Sequence, residues 1–391
     1  MKNIASLLFC SLLYLCSLGQ EKFQKLIDRD FGTNNSIEDY GQDIKQTVDS
    51  GYIISGYTSS FGIGSDDVFL VKLDQFGDTM WSRVYGTIQS ERGQKVVQTS
   101  DGGFAVAGYT AGAAGGGEDI FLMKTNSTGA LQWSKTYGSS PDEELFGLEE
   151  TTDNGFILVG KSEFAEPGGI WWDNDILVIK TDINGDTLWT KIYGDFDGEN
   201  DATPRAVTQT SDGGYAIAGS SSAFSSGAFL MKLDVSGDTT WVKSYAGTGL
   251  WPNGYSIQQT SDGGYIMGAS TYTGGFGGVD WVMIKTDASG SVSWSRVYGS
   301  LSSSGGDYLI KAFETSDGGY YMGGILDNVG ISALSGIKTN NTGSISWAKC
   351  YANQYGSYYG FSGYYGMTEC ADSGFALTAE LGNYFGNTLD Q

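Results

Sequence analysis

Short apolar runs alternate with clusters of Gly, Asp, Asn and Ser along the chain. One representative stretch predicts four strands and two tight turns, with the strands at 94–99, 103–110, 119–125 and 130–137. The two middle strands are apolar almost throughout, which is typical of strands covered on both faces. The turns Ser100–Gly103 and Asn126–Gly129 place Gly where a hairpin needs a positive φ. The pattern predicts four-stranded antiparallel sheets.

This pattern repeats with a period of roughly fifty residues. The turn Asp-x-Gly-Tyr/Phe has its Asp at 49, 101, 153, 212, 262, 317 and 372. A tryptophan recurs at 81, 133, 189, 241, 294 and 347, and a lysine ends a short apolar run at 72, 124, 180, 232, 285 and 338. Three markers with one period indicate an all-β propeller in which each repeat is one blade. The regular spacing of the tryptophans predicts that they pack in the core or between blades.

The repeat count predicts seven blades. Seven Asp-x-Gly turns occur, but only six tryptophan strands follow them. Residues 22–32 echo the missing outer strand, so we expect the N-terminal strand to close the last blade beside strands from 358–380. Only Phe385–Gln391 remains for the third strand of that blade, and it lacks the apolar-lysine signature. A six-bladed or open solenoid arrangement is the alternative.

The N-terminus resembles a secretory signal peptide, which we place at residues 1–19. Lys2 is followed by the apolar stretch Ile4–Leu18, and the small residues Ser17 and Gly19 precede a cleavage site. The stretch is too short to predict a membrane span. We therefore expect a secreted or outer-surface protein whose residues 20–391 form a single propeller domain that does not span the membrane.

The stretch 209–247, QTSDGGYAIAG…FLMKLDVSGDTTWVKSYAG, resembles the repeats of secreted β-propeller proteins abundant in Bacteroidota. Many members of that group are type IX secretion cargo or components of surface complexes. The resemblance covers nearly all of 20–391. It implies a propeller fold outside the cell and implies no particular activity.

Composition narrows the function classes. The formal net charge is −23 and the chain has no histidine. Such an acidic protein repels nucleic acid, so we expect no nucleic-acid partner. Histidine-dependent catalytic triads and the usual zinc sites are excluded by composition. Nothing singles out a catalytic pair among the 45 acidic residues.

Calcium is the one cofactor that the acidic loops suggest, because carboxylates are its preferred ligands. The densest group of carboxylates is Asp195, Asp197, Glu199 and Asp201. Further acidic residues precede the third strands of the repeats, at Asp66, Asp67, Glu118, Asp119, Asp173, Asp175 and Asp280. The alternative is structural: a solvated acidic loop in the first case, and strand caps or ion pairs in the second. We expect no bound cofactor other than this possible Ca²⁺.

Aromatic residues outside the repeating positions are candidate ligand contacts: Trp171, Trp172, Trp251, Tyr358 and Tyr359. Flat rings beside carboxylates can bind sugar faces, and aromatic side chains also anchor protein interfaces. The alternative is that they fill gaps between blades.

These observations favour a non-enzymatic extracellular binding or scaffold module of a surface or secreted assembly. It would bind a protein or glycan partner through the variable loops that connect the second to the third strand and one blade to the next. The alternative function is a carbohydrate-active enzyme or lectin that uses the loop aromatics and carboxylates.

Overall fold

A computed structural model gives the fold of the chain. It describes residues 11–17, 20–27, 39–111, 117–138, 142–165, 172–194, 202–221, 227–245, 252–272, 278–299, 307–328, 331–351, 359–370 and 375–383. The secondary structure of these residues consists of 28 β-strands and the turns between them. None of the described residues belongs to a helix of the length and apolar character needed to cross a membrane.

The strands, in chain order, are β1 (Ser11–Ser17), β2 (Gln20–Ile27), β3 (Asp39–Gln46), β4 (Tyr52–Thr58), β5 (Asp67–Leu73), β6 (Thr79–Tyr85), β7 (Glu91–Gln98), β8 (Phe104–Ala111), β9 (Glu118–Thr125), β10 (Leu131–Tyr137), β11 (Glu143–Glu150), β12 (Phe156–Ala165), β13 (Trp172–Thr181) and β14 (Thr187–Tyr193). They continue as β15 (Ala202–Gln209), β16 (Tyr215–Ser221), β17 (Gly227–Leu233), β18 (Thr239–Ser244), β19 (Pro252–Gln259), β20 (Tyr265–Thr271), β21 (Asp280–Thr286), β22 (Val292–Tyr298), β23 (Tyr308–Glu314), β24 (Tyr320–Asn328), β25 (Ile331–Thr339), β26 (Ile345–Tyr351), β27 (Tyr359–Glu369) and β28 (Phe375–Asn383). The four strands predicted from the representative repeat correspond to β7–β10, with small shifts at their ends.

Six blades of four consecutive strands run from β3–β6 to β23–β26, each in sequence order within its sheet. The all-β propeller architecture with four-stranded antiparallel blades is therefore confirmed. In every blade the second and third strands are buried, whereas the fourth strand alternates exposed and half-buried residues. The fourth strand is therefore the outer one.

The prediction of seven blades is wrong: the structure has six blades of the repeat. The seventh Asp-x-Gly hairpin belongs instead to a sheet assembled from both ends of the chain, in the order β2-β1-β28-β27. Its third strand is β1, which pairs from Ser11 with Glu380 to Cys16 with Phe375, and β2 lies outside β1. The physical reason is that no apolar-lysine strand follows the last hairpin in the sequence, so the apolar residues of β1 occupy that position. The predicted third strand, Phe385–Gln391, lies outside the described residues.

The chain divides into two compact units. Unit 1 comprises residues 1–112, 121–134 and 353–391, and unit 2 comprises residues 113–120 and 135–352. In unit 1, Ile53, Leu70 and their neighbours in the first blade pack against Val96, Val106 and other residues of the second. In unit 2, successive blades bury equivalent clusters between their sheets. Within each unit, these clusters cover the middle strands of neighbouring blades, as their apolar pattern predicted.

An ion pair recurs in all six blades and explains two of the sequence markers. The repeat lysine donates to the Asp of the Asp-x-Gly turn and to the carbonyl oxygen of the following residue, as Lys285 does to Asp262 and Thr286. The pairs are Lys72–Asp49, Lys124–Asp101, Lys180–Asp153, Lys232–Asp212, Lys285–Asp262 and Lys338–Asp317. We call this contact the lysine clasp, since it joins the first hairpin of each blade to its third strand.

The clasp also explains the glycine that follows the turn. A Cβ atom on Gly264 would lie 2.1 Å from the carbonyl oxygen of Thr286 and 2.7 Å from the Lys285 ammonium. The residue before it adopts a positive φ but meets nothing within 4 Å, and Ser50 or Asn154 stands there in two blades. The second glycine is therefore required by close contact and the first only by its backbone conformation.

A second repeated contact, which we call the tyrosine latch, joins the outer strand of a blade to the next blade, and the structure describes it in five blades. Tyr245 donates its hydroxyl to the carbonyl oxygen of Gly290 at 2.9 Å. The Trp241 ring lies against the same glycine, where a Cβ atom would approach the ring to 2.7 Å. The tyrosine contact recurs at Tyr85–Gly129, Tyr137–Gly185, Tyr193–Gly237 and Tyr298–Gly343. The prediction that the spaced tryptophans pack between blades is confirmed at Trp81, Trp189, Trp241 and Trp294.

Candidate functional site

Because the strands of a blade are antiparallel, successive connections lie at opposite ends of the blade. The turns between first and second strands and between third and fourth strands lie at one end, which we call the turn end. The lysine clasp and the tyrosine latch both involve these turns. The connections between second and third strands and between blades lie at the opposite end, which we call the loop end. Because the turn end is committed to contacts that repeat from blade to blade, candidate ligand contacts are sought at the loop end.

Most of the predicted site residues fall in connections outside the described residues. This holds for the four carboxylates Asp195, Asp197, Glu199 and Asp201, and for Trp171, Trp251 and Tyr358. Trp172 lies at the start of β13 and Tyr359 at the start of β27. The calcium and aromatic-site predictions therefore remain predictions. Within the described residues, no group of three or more metal-ligating side chains is placed to hold a metal ion.

The carboxylates that precede the third strands make structural contacts within the protein where the structure describes them. Asp67 is 1% exposed and accepts the backbone N–H groups of Gly64 and Ile63. Burial raises its pKa despite these two hydrogen bonds, and the charges of Glu91 and Asp66 raise it further. Asp119 and Asp280 are equally buried, and each lies against the glycine after its outer strand, Gly138 or Gly299. These carboxylates organise the loop end of the blade.

A row of aromatic and charged side chains crosses the loop end of the first two blades in unit 1. Tyr40 and Tyr57 are cross-strand partners in β3 and β4, and their rings stack with centroids 4.8 Å apart. Arg92 and Tyr109 are the corresponding partners in β7 and β8. The Arg92 Cζ atom lies 4.8 Å from the Tyr57 ring centroid and 6.0 Å from that of Tyr109. We call these four residues the aromatic row, and all four are half-buried.

Hydrogen bonds fix the guanidinium at the centre of the aromatic row. Arg92 donates from Nε to Asp66 Oδ2 at 2.7 Å and from Nη1 to the Tyr109 hydroxyl at 3.2 Å. Ser90 donates to the same oxygen of Asp66 at 3.1 Å. Burial alone lowers the pKa of Arg92, but the contacts with Tyr109 and Asp66 outweigh it and raise the pKa above its usual range. The row therefore presents aromatic faces around a permanently charged group whose charge is balanced by Asp66.

This arrangement offers contacts to a ligand. Aromatic rings and a fixed guanidinium offer stacking and directional hydrogen bonds to a ligand. Among the residues of the aromatic row, no nucleophile is paired with a base. The row was missed from the sequence, although a signal was present. Tyr57 and Tyr109 follow the strand glycine in two repeats, whereas the equivalent positions elsewhere are Lys161, Ser220, Ser270 and Ile325.

Comparison with known proteins gives a distant sequence relative and a set of fold neighbours. No family model matches the chain. The regulatory protein FlaEY of Caulobacter vibrioides is 26% identical over 199 residues, which are 46% of this chain and 20% of that protein. The match thus spans about a fifth of the length of that curated relative.

Two enzymes are similar in fold. A polysaccharide lyase, an ulvan lyase, matches with a TM-score of 0.53 and 8% identity over 85% of this chain and 89% of that chain. A streptogramin B lyase matches with a TM-score of 0.51 and 12% identity over 89% of this chain and 97% of that chain. At these identities the likeness shows the fold alone. A protein of unknown function from Dyadobacter fermentans matches with a TM-score of 0.46 and 11% identity over 90% of this chain and 96% of that chain.

Proposed function

We propose that this chain is a non-enzymatic extracellular binding or scaffold module that holds a protein or glycan partner through the loop end of its blades. The observation that carries the proposal is the contrast between the two ends. The turn end repeats the same clasp and latch, whereas the loop end changes from blade to blade and carries the aromatic row. A rigid scaffold with variable connections is the usual arrangement of a binding protein.

The extracellular location rests on the signal peptide predicted at residues 1–19. Expression in a bacterial host with an outer membrane, followed by fractionation and N-terminal sequencing, tests it. We expect the exported protein to begin at Gln20. A cytoplasmic protein that still carries Met1 would contradict the location without affecting the fold.

Binding is tested with a glycan array and with cross-linking to surface proteins of the native organism. Tyr57→Ala removes the central ring of the aromatic row, and Tyr272→Ala is the matched control. Tyr272 is a 66% exposed tyrosine in a loop-end connection of unit 2. We expect Tyr57→Ala to lose about five- to tenfold in affinity, since a well-placed aromatic contact is worth about 1–1.5 kcal/mol. Tyr272→Ala should retain the affinity of the native protein.

The alternative function, a carbohydrate-active enzyme, is separated by activity assays on a panel of polysaccharides. The proposal predicts no turnover. Turnover that Asp173→Ala abolishes would replace the proposal with an enzyme that uses the acidic loop residues. Equal affinity of the native protein and Tyr57→Ala for every partner found would show that the aromatic row is structural.

A further inference from the structure

Every repeat blade carries a β-bulge in its first strand. The pairing of first and second strands shifts register at one point, which leaves one extra residue on the first strand, as Arg205 lies between the paired residues Pro204 and Ala206. The extra residues are Gln42, Gln94, Phe146, Arg205, Tyr255 and Ile310. A bulge re-aims a side chain without changing the rest of the strand. The same backbone device thus displays a different side chain in each blade.

In unit 2 these bulges lie on neighbouring strands. The first strands contact one another in the order β11, β15, β19 and β23, which places them at the inner edge of their blades. Phe146, Arg205 and Tyr255 therefore stand side by side on three adjacent inner strands. We call them the inner row. It shares no residue with the aromatic row, which lies on strands of unit 1.

Arg205 is the unusual member of the inner row. Its side chain is exposed, and its guanidinium Cζ lies 4.9 Å from the Phe146 ring centroid. Among the described residues, no carboxylate pairs with Arg205. The other loop-end arginine, Arg92, is neutralised by Asp66. In a chain with a net charge of −23, a guanidinium that lies on an aromatic ring and pairs with no described carboxylate is well placed to bind an anion.

The residues around Arg205 indicate which class of anion its guanidinium would bind. A planar guanidinium matches a carboxylate with two parallel hydrogen bonds. The Phe146 ring beside the guanidinium, together with Tyr255 at the equivalent bulge of the adjacent strand, supplies aromatic groups suited to the face of a sugar ring. A polyanion is disfavoured because the acidic protein would repel it, whereas a single carboxylate is accommodated by one arginine. A sugar acid within an otherwise neutral glycan satisfies all three conditions.

We propose that the inner row is a binding site for a uronate sugar, with Arg205 receiving the carboxylate and Phe146 and Tyr255 contacting the ring. The proposal deepens the glycan branch of the proposed function and rests on it. It assigns the ligand to residues that the aromatic row does not include.

Saturation-transfer NMR on the full-length protein, with glucuronate, glucose and glucose 6-sulfate as probes, tests the inference. The site predicts saturation of glucuronate and at least tenfold weaker binding of glucose, since only glucuronate offers a carboxylate to the Arg205 guanidinium. Arg205→Gln should reduce glucuronate binding at least tenfold. Arg296→Gln, an exposed arginine on the outer strand β22, is the matched control and should bind glucuronate normally.

The outcomes separate the two proposals. Glucuronate binding that survives Arg205→Gln, or binding of glucose as tight as that of glucuronate, would overturn the uronate site. Stronger binding of glucose 6-sulfate than of glucuronate would also overturn it, in favour of a sulfated ligand. In each case a loss of partner affinity in Tyr57→Ala would leave the proposed loop-end function standing. Unfolding of Arg205→Gln is checked by its melting temperature, which should match that of the native protein because Arg205 makes no hydrogen bond to the described residues.

Discussion

The lysine clasp leads to a quantitative prediction for the substitution Asp262→Asn. Lys285 has a side chain that is 4% exposed, and its ammonium donates to both carboxylate oxygens of Asp262, at 3.0 and 2.8 Å. The substitution keeps one oxygen that can accept the N–H of Gly264. It removes the charge and one of the two hydrogen bonds that Lys285 donates to Asp262.

The magnitude follows from the pKa of Asp262. Burial alone raises this pKa, but hydrogen bonds from Lys285, Thr260 and Gly264 outweigh it and lower the pKa from 3.8 to about 2. A shift of nearly two units corresponds to about 2.5 kcal/mol. The Asp262 side chain is 62% exposed, however, so solvent screening reduces the value. We expect Asp262→Asn to lower the free energy of unfolding by about 1–2 kcal/mol at neutral pH.

The pH dependence of the stability difference between the native protein and Asp262→Asn tests this reasoning. Because the pKa of Asp262 is lower in the folded chain than in the unfolded one, its stabilisation is complete above about pH 5 and is lost as the pH falls toward 2. The difference between native and variant, measured by urea unfolding, should fall to about half its neutral value at pH 3. Asp234→Asn is the control, since Asp234 caps an exposed turn through N–H groups of Ser236 and Asp238. A pH-independent difference for Asp262→Asn, or an equal one for Asp234→Asn, would refute the reasoning.

Three further outcomes are expected. Gly264→Ala should lower the free energy of unfolding by about 1–3 kcal/mol, measured with urea, because its methyl group would overlap a β21 carbonyl oxygen. Gly263→Asn should lower it by less than about 1 kcal/mol, since Asn154 adopts the same positive φ. Equal losses in the two variants would contradict the contact argument. Tyr245→Phe should lose about 1 kcal/mol of stability with its hydrogen bond to the next blade, and an unchanged unfolding midpoint would show that the latch contributes nothing. A chain that begins at Gln20 lacks β1, so hydrogen exchange at the amides of β28 should be faster than in the full chain; equal protection would mean that another segment pairs with that edge.

The repeat made it possible to predict the strands of a blade from the sequence. Short-range turn chemistry and apolar patterning predicted β7–β10 to within a few residues, because Gly129 and Gly102 adopt the positive φ that those turns require. The residues of the lysine clasp were visible in the sequence as repeating positions, but the ion pair between them was not predicted. Lys124 and Asp101 are far apart in sequence, and only the pairing of second and third strands shows that they meet.

The blade count could not be read in the same way. The last hairpin carries the turn marker, but no apolar run that ends in lysine follows it in residues 384–391, and several segments could have completed its sheet. The structure uses β1 in the third position, although residues 11–17 also have the composition of a signal peptide. An apolar run can serve either as a buried strand or as a signal peptide, because both require hydrophobic residues. Composition therefore could not decide between them.

Specificity in a repeat protein must come from positions that break the repeat. The clasp and the latch recur with the same chemistry, so they cannot distinguish one blade from another and no ligand can be recognised through them alone. Tyr57 and Tyr109 depart from the non-aromatic residues at equivalent positions, and Arg205 departs from the uncharged residues that the other bulges display. Both departures add aromatic or cationic groups where a regular blade does not require them. Comparing each repeat with its siblings, rather than searching for a catalytic motif, is therefore the physical route to the ligand of this protein.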